Sequence, residues 1–134
     1  MMTGQYKSVA EFAPTDFRQI LPRFSNENFT ANLHIQEQFE SVAAKHNATT
    51  GQITLAWIRA RHPDFVSIPG SRDAKRVEEN AGAAYLQLEE EDMSALNEVV
   101  EKAEVKGARY PASLDWLANR DTIPLSEWEG EDAV

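Results

Sequence analysis

The sequence predicts a mostly helical α/β chain, four helices with one or two short strands, in one compact unit of 134 residues. Three observations predict it. Apolar residues recur at helical steps of three and four over 28–47, 49–62 and 90–104. One short β-rich run, Phe65-Val66-Ser67-Ile68, is closed by Pro69-Gly70. Prolines at 14, 22, 63, 111 and 124 interrupt regular structure elsewhere.

Residues 1–27 read as an irregular loop. They hold Tyr6, Phe12, Phe17 and Phe24, with Arg18 and Arg23. A free tail seldom carries so many aromatic groups, so this loop is expected to pack against something. Over 28–47 the apolar face is Ala31, Ile35, Phe39, Val42, Ala43 and His46, with Gln36, Glu37, Gln38 and Glu40 opposite. Asn26 or Asn28 serves as its cap, and Asn47 suits its end. Thr49 or Thr50 opens a second helix whose apolar face is Ile53, Ala56, Trp57 and Ala60. Its last turn is basic, with Arg59, Arg61 and His62, and Pro63 stops it.

The strand at 65–68 leads into a third helix at about 73–80, with Asp73 as N-cap and Gly82 past the end. A fourth helix runs over 90–104, with Met93, Leu96, Val100 and Ala103 inward and Glu89, Glu90, Glu91 and Asp92 at its positive N-terminal end. Beyond 105 the period fades. Tyr110, Trp116, Leu117, Ile123, Leu125 and Trp128 are scattered, and Glu127 to Val134 is an acidic end expected to fray. A lone strand has no pairing partner and would orphan its backbone groups. Either further strands exist that the pattern does not reveal, or the chain is without the rest of its sheet.

Thirteen basic against 22 acidic residues give a net charge of −9, which argues against a nucleic-acid footprint or an anionic membrane as partner. The absence of cysteine excludes disulfides, thiolate metal sites and cysteine nucleophiles. The apolar runs fall far short of the roughly 20 residues a membrane span needs. Met1 to Ala10 has no apolar signal core, so a reducing, cytoplasmic setting is expected.

The stretch that carries chemistry is Ser67-Ile68-Pro69-Gly70-Ser71-Arg72-Asp73-Ala74-Lys75-Arg76-Val77-Glu78-Glu79-Asn80. It reads strand, sharp turn, helix. A helix N-terminus offers unpaired N–H groups and partial positive charge, a ready anion site. Gly70 lets a ligand approach the backbone, Ser71 donates a hydroxyl, and Arg72, Lys75 and Arg76 place three cations within five residues. The planar guanidinium fork suits phosphate. Glu78 and Glu79 sit at the negative end of the helix, a mild cost that a ligand hydrogen bond would explain; a carboxylate, from either residue, and the Asn80 amide have the groups to face an adenine edge. The bland alternatives are a solvated basic face and an ordinary contact of Arg76 with Glu79 or Asn80 along the helix. The anion reading fails if the Arg76 guanidinium is locked into internal carboxylates or turned away from the helix opening.

Ile68-Pro69-Gly70-Ser71-Arg72, followed by Arg76 and Glu78-Glu79-Asn80, resembles the cofactor signature of the aldo-keto reductases. Asp16-Phe17-Arg18 with Pro22-Arg23-Phe24 resembles that family's loop after the seventh barrel strand. Gln52 with Leu55-Ala56-Trp57 resembles the helix before the eighth strand, and Gly107-Ala108-Arg109-Tyr110 a C-terminal signature of one subgroup. The resemblance implies a fold that is α/β by ancestry: the C-terminal fragment of a (β/α)8 TIM barrel, from past strand seven through strand eight and a tail. A complete barrel takes roughly 250 residues.

The resemblance further implies NADP(H) as cofactor. Gly70, Ser71, Arg72 and Arg76 match positions around the adenosine 2′-phosphate, and Glu79 and Asn80 match those at adenine. The family's catalytic Asp, Tyr, Lys and His have no matching motif here. No catalytic residue and no metal ligand is therefore expected, and His34, His46 and His62 are read as surface or core groups. Three outcomes compete: an oxidoreductase portion that assembles with itself or a complementing chain, a non-catalytic nucleotide-binding or interaction module, and a truncated fragment without function. The division expected is 1–27 loop, 28–104 helices with strand eight and the cofactor motif, and 105–134 tail.

Overall fold

The computed structural model describes residues 1–117 and 124–128. Its regular structure is four α-helices joined by short 3-10 turns: α1 Asn26–Lys45, α2 Thr50–Arg61, α3 Ala74–Gly82 and α4 Glu90–Lys102. α1 packs against α2 and α4, and α2 packs against α3. The core lies where the first three of these meet: Phe39, Val42, Ala43, Ile53 and Leu96 are buried together, with Met2, Trp57, Leu86 and Val99 packed on them. Trp57 meets Phe39 edge-on at 5.9 Å and donates its indole N–H to Asn97 Oδ1 at 3.0 Å, satisfying the one polar atom it carries inward.

Each helix end has a local cause. Ser25, not Asn26 or Asn28, caps α1, accepting from the Asn28 N–H at 3.3 Å. Asn47 takes φ +49 just past the helix, and the Ala48 N–H returns to the Ala43 carbonyl at 3.0 Å, so the asparagine closes a Schellman turn as expected. Thr49 and Gln52 form a reciprocal capping box at the start of α2. Gly82 is the last residue of α3, still right-handed at φ −57, because the chain runs on into a 3-10 turn at Ala83–Tyr85 instead of stopping.

Two faces differ from expectation. On α1 the buried side is Phe29, Asn32, Gln36, Phe39, Val42 and Ala43; Gln36 is inside and Ala31 outside. In its first half the stripe is turned by one residue because polar groups from the loops, the Lys106 backbone and the Lys7 side chain, find partners there. Asn32 is fully buried and holds the Lys106 N–H at 2.8 Å and the Lys106 carbonyl at 2.9 Å. Gln36, also fully buried, accepts from Lys7 Nζ at 3.0 Å and donates to Glu40. On α4 the buried positions are Asp92 and Leu96, with Val99 packed beside them, while Val100 is exposed. Asp92 is drawn inward by Lys45 and His46.

The loop over 1–27 packs as its aromatics suggest. Phe12, Phe24 and Phe29 stack and tilt against one another at 5.6 to 5.8 Å, and Tyr6 meets Phe12 at 5.0 Å. The Arg18 guanidinium lies over the rings of Tyr6 and Phe12 and pairs with Asp16. Phe17 is an exception and remains exposed. Gly107, at φ +83, sits so close to the Pro22 carbonyl that an added Cβ would lie 2.7 Å from its oxygen. Arg23 fastens the same crossing by donating to the Gly107 carbonyl at 3.1 Å.

The strand expected at Phe65–Ile68 does not form; among the described residues there is no strand at all. The physical reason is the missing partner: backbone groups in a strand need a neighbouring strand to pair with. The mostly helical character stands. In the tail, Leu125 and Trp128 are exposed. The side chains of Trp116 and Leu117, with Ile123 and the acidic stretch from Glu129 to Val134, lie outside the described residues. No described helix is long and apolar enough to cross a membrane.

Candidate functional site

The site is built on the turn into α3. From Phe65 to Lys75 every residue is exposed. Asp73 caps α3, its carboxylate accepting the Arg76 N–H at 2.9 Å. One donor of the helix start is thereby used internally, while Arg72 and Lys75 have no ion-pair partner among the described residues. Asp16, on the loop before α1, lies within Coulombic reach of Arg72. That carboxyl is held at about 2, first by the Arg18 side-chain hydrogen bond, then by the Arg18 N–H, with Arg72 adding a longer-range attraction.

Arg76 is partly engaged. It donates to Glu79 Oε2 at 2.9 Å and to Gln5 Oε1 at 3.3 Å. This is the ordinary contact along the helix that the spacing allowed, and it departs from a guanidinium free of internal carboxylates. A guanidinium has five N–H donors, so two engaged ones leave capacity for an anion, and the side chain is 41% exposed. The placement of Glu79 at the negative end of α3 also has an internal explanation. Its Oε1 accepts the Thr49 hydroxyl at 2.8 Å, and its main-chain carbonyl accepts from Gln52 Nε2 at 2.9 Å. No ligand is needed to account for it. Asn80 donates to Ser71 Oγ at 2.9 Å, closing the turn onto the helix.

The structure thus brings Ser71 together with Asn80, and Arg76 with Glu79, while Gly70, Arg72 and Lys75 make no side-chain hydrogen bond to either pair among the described residues. A Cβ added at Gly70 would meet nothing within 4 Å. Beside this turn lies a cleft of about 630 Å³. Leu55, Phe65, Val66 and Val77 give it an apolar wall, and Ser71 and Asn80 supply polar groups. Its size is that of a small-molecule site, roughly 300–1,000 Å³. Arg72 and Lys75 are exposed, Arg76 keeps spare donors and Gly70 leaves its backbone open, a set able to receive an anion; of the predicted site residues, Ser71 and Asn80 line the cleft and Gly70, Arg72, Arg76 and Glu79 do not.

Thr49, Gln52 and Gln5 join this cluster and were missed from sequence. The Thr49-x-x-Gln52 spacing was a readable capping box; its reach to Glu79, 30 positions away, was not.

The histidines take no part. His34 pairs with Glu37 on the surface, His46 with Asp92, and His62 stacks on Phe65 at 4.7 Å. No metal-binding cluster occurs among the described residues. A second cleft, between α1 and α4, is lined by Ala31, Ile35 and Val99, which accounts for the two α1 residues turned out of the core.

Residues 4–101 match the aldo/keto reductase family. Aldo-keto reductase str7 of Strobilurus tenacellus is 47% identical over 124 residues, covering 92% of this chain and 37% of that protein. Aldo-keto reductase yakc [NADP(+)] of Schizosaccharomyces pombe is 40% identical over 124 residues, covering 92% and 36%. Probable aldo-keto reductase 1 of Glycine max is 39% identical over 110 residues, covering 81% and 32%. No solved structure matches the chain. It spans about a third of the length of these relatives. A match that takes in the aromatic loop, the capped α2 and the basic turn into α3 leaves one assignment: the chain belongs to the aldo/keto reductase family and carries part of its (β/α)8 barrel.

Proposed function

We propose that this chain carries the adenosine 2′-phosphate-binding segment of an NADP(H)-dependent oxidoreductase. The observation that supports the reading is a pair of cations without an ion-pair partner among the described residues, Arg72 and Lys75, beside Ser71 and the open backbone of Gly70 at the start of α3. Arg72 and Ser71 bind phosphate oxygens, and Arg76 adds its spare donors. Glu79 and Asn80 face adenine; a carboxylate has about four lone-pair sites, so Glu79 accepts from a base while keeping Thr49 and Arg76. The name of the Schizosaccharomyces pombe relative includes NADP(+), which favours the phosphorylated dinucleotide over NAD.

When bound, the nicotinamide would supply hydride to a carbonyl carbon. The catalytic residues of that reduction have no counterpart in this chain. Alone it binds nucleotide without turnover. Titration with NADP+ and NAD+ tests the reading: NADP+ binds more tightly, and Arg72→Ala or Arg76→Ala removes the preference. Equal affinity for the two dinucleotides overturns it.

A second reading rests on the segment Phe65–Ile68, where Val66 and Ile68 are 87% and 92% exposed. Such a run, apolar on both faces, suits a strand buried inside a parallel sheet. In that reading the chain assembles through this edge, with a complementing chain that supplies the neighbouring strands.

A further inference from the structure

The capping box of α2 has a double connection to α3. Thr49 Oγ1 accepts the Gln52 N–H at 3.1 Å and donates its proton to Glu79 Oε1 at 2.8 Å. The Gln52 amide accepts the Thr49 N–H at 3.0 Å and donates to the Glu79 carbonyl at 2.9 Å. Both residues that close the start of α2 therefore also grip one residue of α3, by its carboxylate and by its backbone. Glu79 passes the constraint on: its other oxygen holds the Arg76 guanidinium at 2.9 Å. Gly82 makes room for this arrangement, since a Cβ there would lie 2.8 Å from Gln52 Nε2. Helix capping alone needs neither contact to Glu79.

We propose that Thr49 is a positioning residue for nucleotide selectivity: its hydroxyl orients the Glu79 carboxylate, which sets the Arg76 guanidinium toward the phosphate it reads. Gln52 anchors the backbone of the same turn. The inference rests on the nucleotide reading above and names residues that the reading does not use. Without the Thr49 hydroxyl, the carboxylate and guanidinium turn together as a loose pair, and the entropy of fixing the guanidinium falls on the ligand. Affinity for the 2′-phosphate drops; any loss at the adenine that Glu79 faces is shared by a nucleotide lacking that phosphate and cancels in the ratio of the two.

The test uses the full chain and two probes, adenosine 2′,5′-bisphosphate and adenosine 5′-monophosphate, titrated by calorimetry. The readout is the ratio of their affinities. Thr49→Gly removes the hydroxyl yet keeps a residue tolerated at a helix cap. It is expected to lower the ratio about tenfold, the size of one hydrogen bond to a charged group. Thr49→Ser restores it. In an Arg76→Ala background Thr49→Gly changes nothing, because the effect passes through Arg76. A structural role alone would weaken both probes equally and leave the ratio unmoved. If Arg76→Ala lowers the ratio and Thr49→Gly does not, the relay is wrong and the nucleotide reading stands. If the unaltered chain does not prefer the bisphosphate, both fall.

Discussion

The carboxylate of Asp92 on α4 lies 2.7 Å from Nε2 of His46, just past the end of α1, and accepts from Lys45 Nζ at 3.0 Å. Its side chain is 6% exposed. The pair closes one end of the packing between the two helices, where Leu96 and Val42 are buried. The His46 hydrogen bond is the largest influence holding the Asp92 carboxyl below its ordinary value, with Lys45 adding to it against the opposing effect of burial.

That lowered value sets an acid limit. The folded chain binds the Asp92 proton less readily than the unfolded chain, so the stabilisation is complete above the ordinary value of 3.8 and is lost as pH falls through the depressed one. Lys45 and His46 are left facing a neutral acid. Thermal unfolding followed by circular dichroism should show Tm dropping below pH 4 more steeply in the unaltered chain than in Asp92→Asn. Equal slopes would show that Asp92 does not carry the acid sensitivity.

Gly107 and Gly70 should behave oppositely toward alanine. At Gly107 the positive φ and the Pro22 carbonyl both oppose a side chain. Gly107→Ala is expected to cost about 2 kcal/mol or more in urea unfolding. At Gly70 nothing stands within 4 Å, and Gly70→Ala should stay within about 0.5 kcal/mol. The same Gly70 variant should weaken NADP+ binding if the nucleotide approaches that backbone, as calorimetry can read.

Asn32 joins α1 to the loop at Lys106 through both halves of its amide. Asn32→Leu keeps the branched side-chain shape but leaves the Lys106 N–H and carbonyl, part-buried at this crossing, without their partner. A loss of about 2–4 kcal/mol is expected, measured by denaturant unfolding with m unchanged.

The exposed run at 65–68 should drive association. Sedimentation velocity of the unaltered chain is expected to show species larger than the monomer that grow with concentration. Val66→Lys together with Ile68→Lys should return it to monomer without lowering Tm, because neither side chain is buried. A concentration-independent monomer in the unaltered chain would sink the assembly reading.

Much of the framework was legible in the residues. Asp73 as cap, Asn47 as a left-handed stop and Pro63 as a terminator act through their immediate neighbours, so local pattern suffices. The inward stripe of α1 is legible at Phe39, Val42 and Ala43, while in the first half of the helix it lies one residue from the pattern. Ala31 and Ile35 share one helical row and Asn32 and Gln36 another, and periodicity alone favours the apolar row. The outcome depends on Lys106 and Lys7, which approach from distant parts of the chain. The same limit hid Thr49 from the site. Arg76 was identified as a basic group at the right turn, but its bond to Glu79 competes with its use as a free cation, and only the fold settles such a competition.

By itself the sequence determined the helix boundaries to within a residue or two, the acidic balance, the basic turn after Pro69-Gly70, and the absence of thiol chemistry. These follow from local backbone preference and from composition, which do not depend on what the chain later touches. Tertiary structure alone decided that Phe65–Ile68 remains unpaired, that Asp92 and Gln36 are buried, and that Glu79 stands between Thr49 and Arg76. The reason is common to all three. A strand, a buried charge and a shared hydrogen bond each require a partner from elsewhere in the chain, and the free energy of the arrangement belongs to the pair.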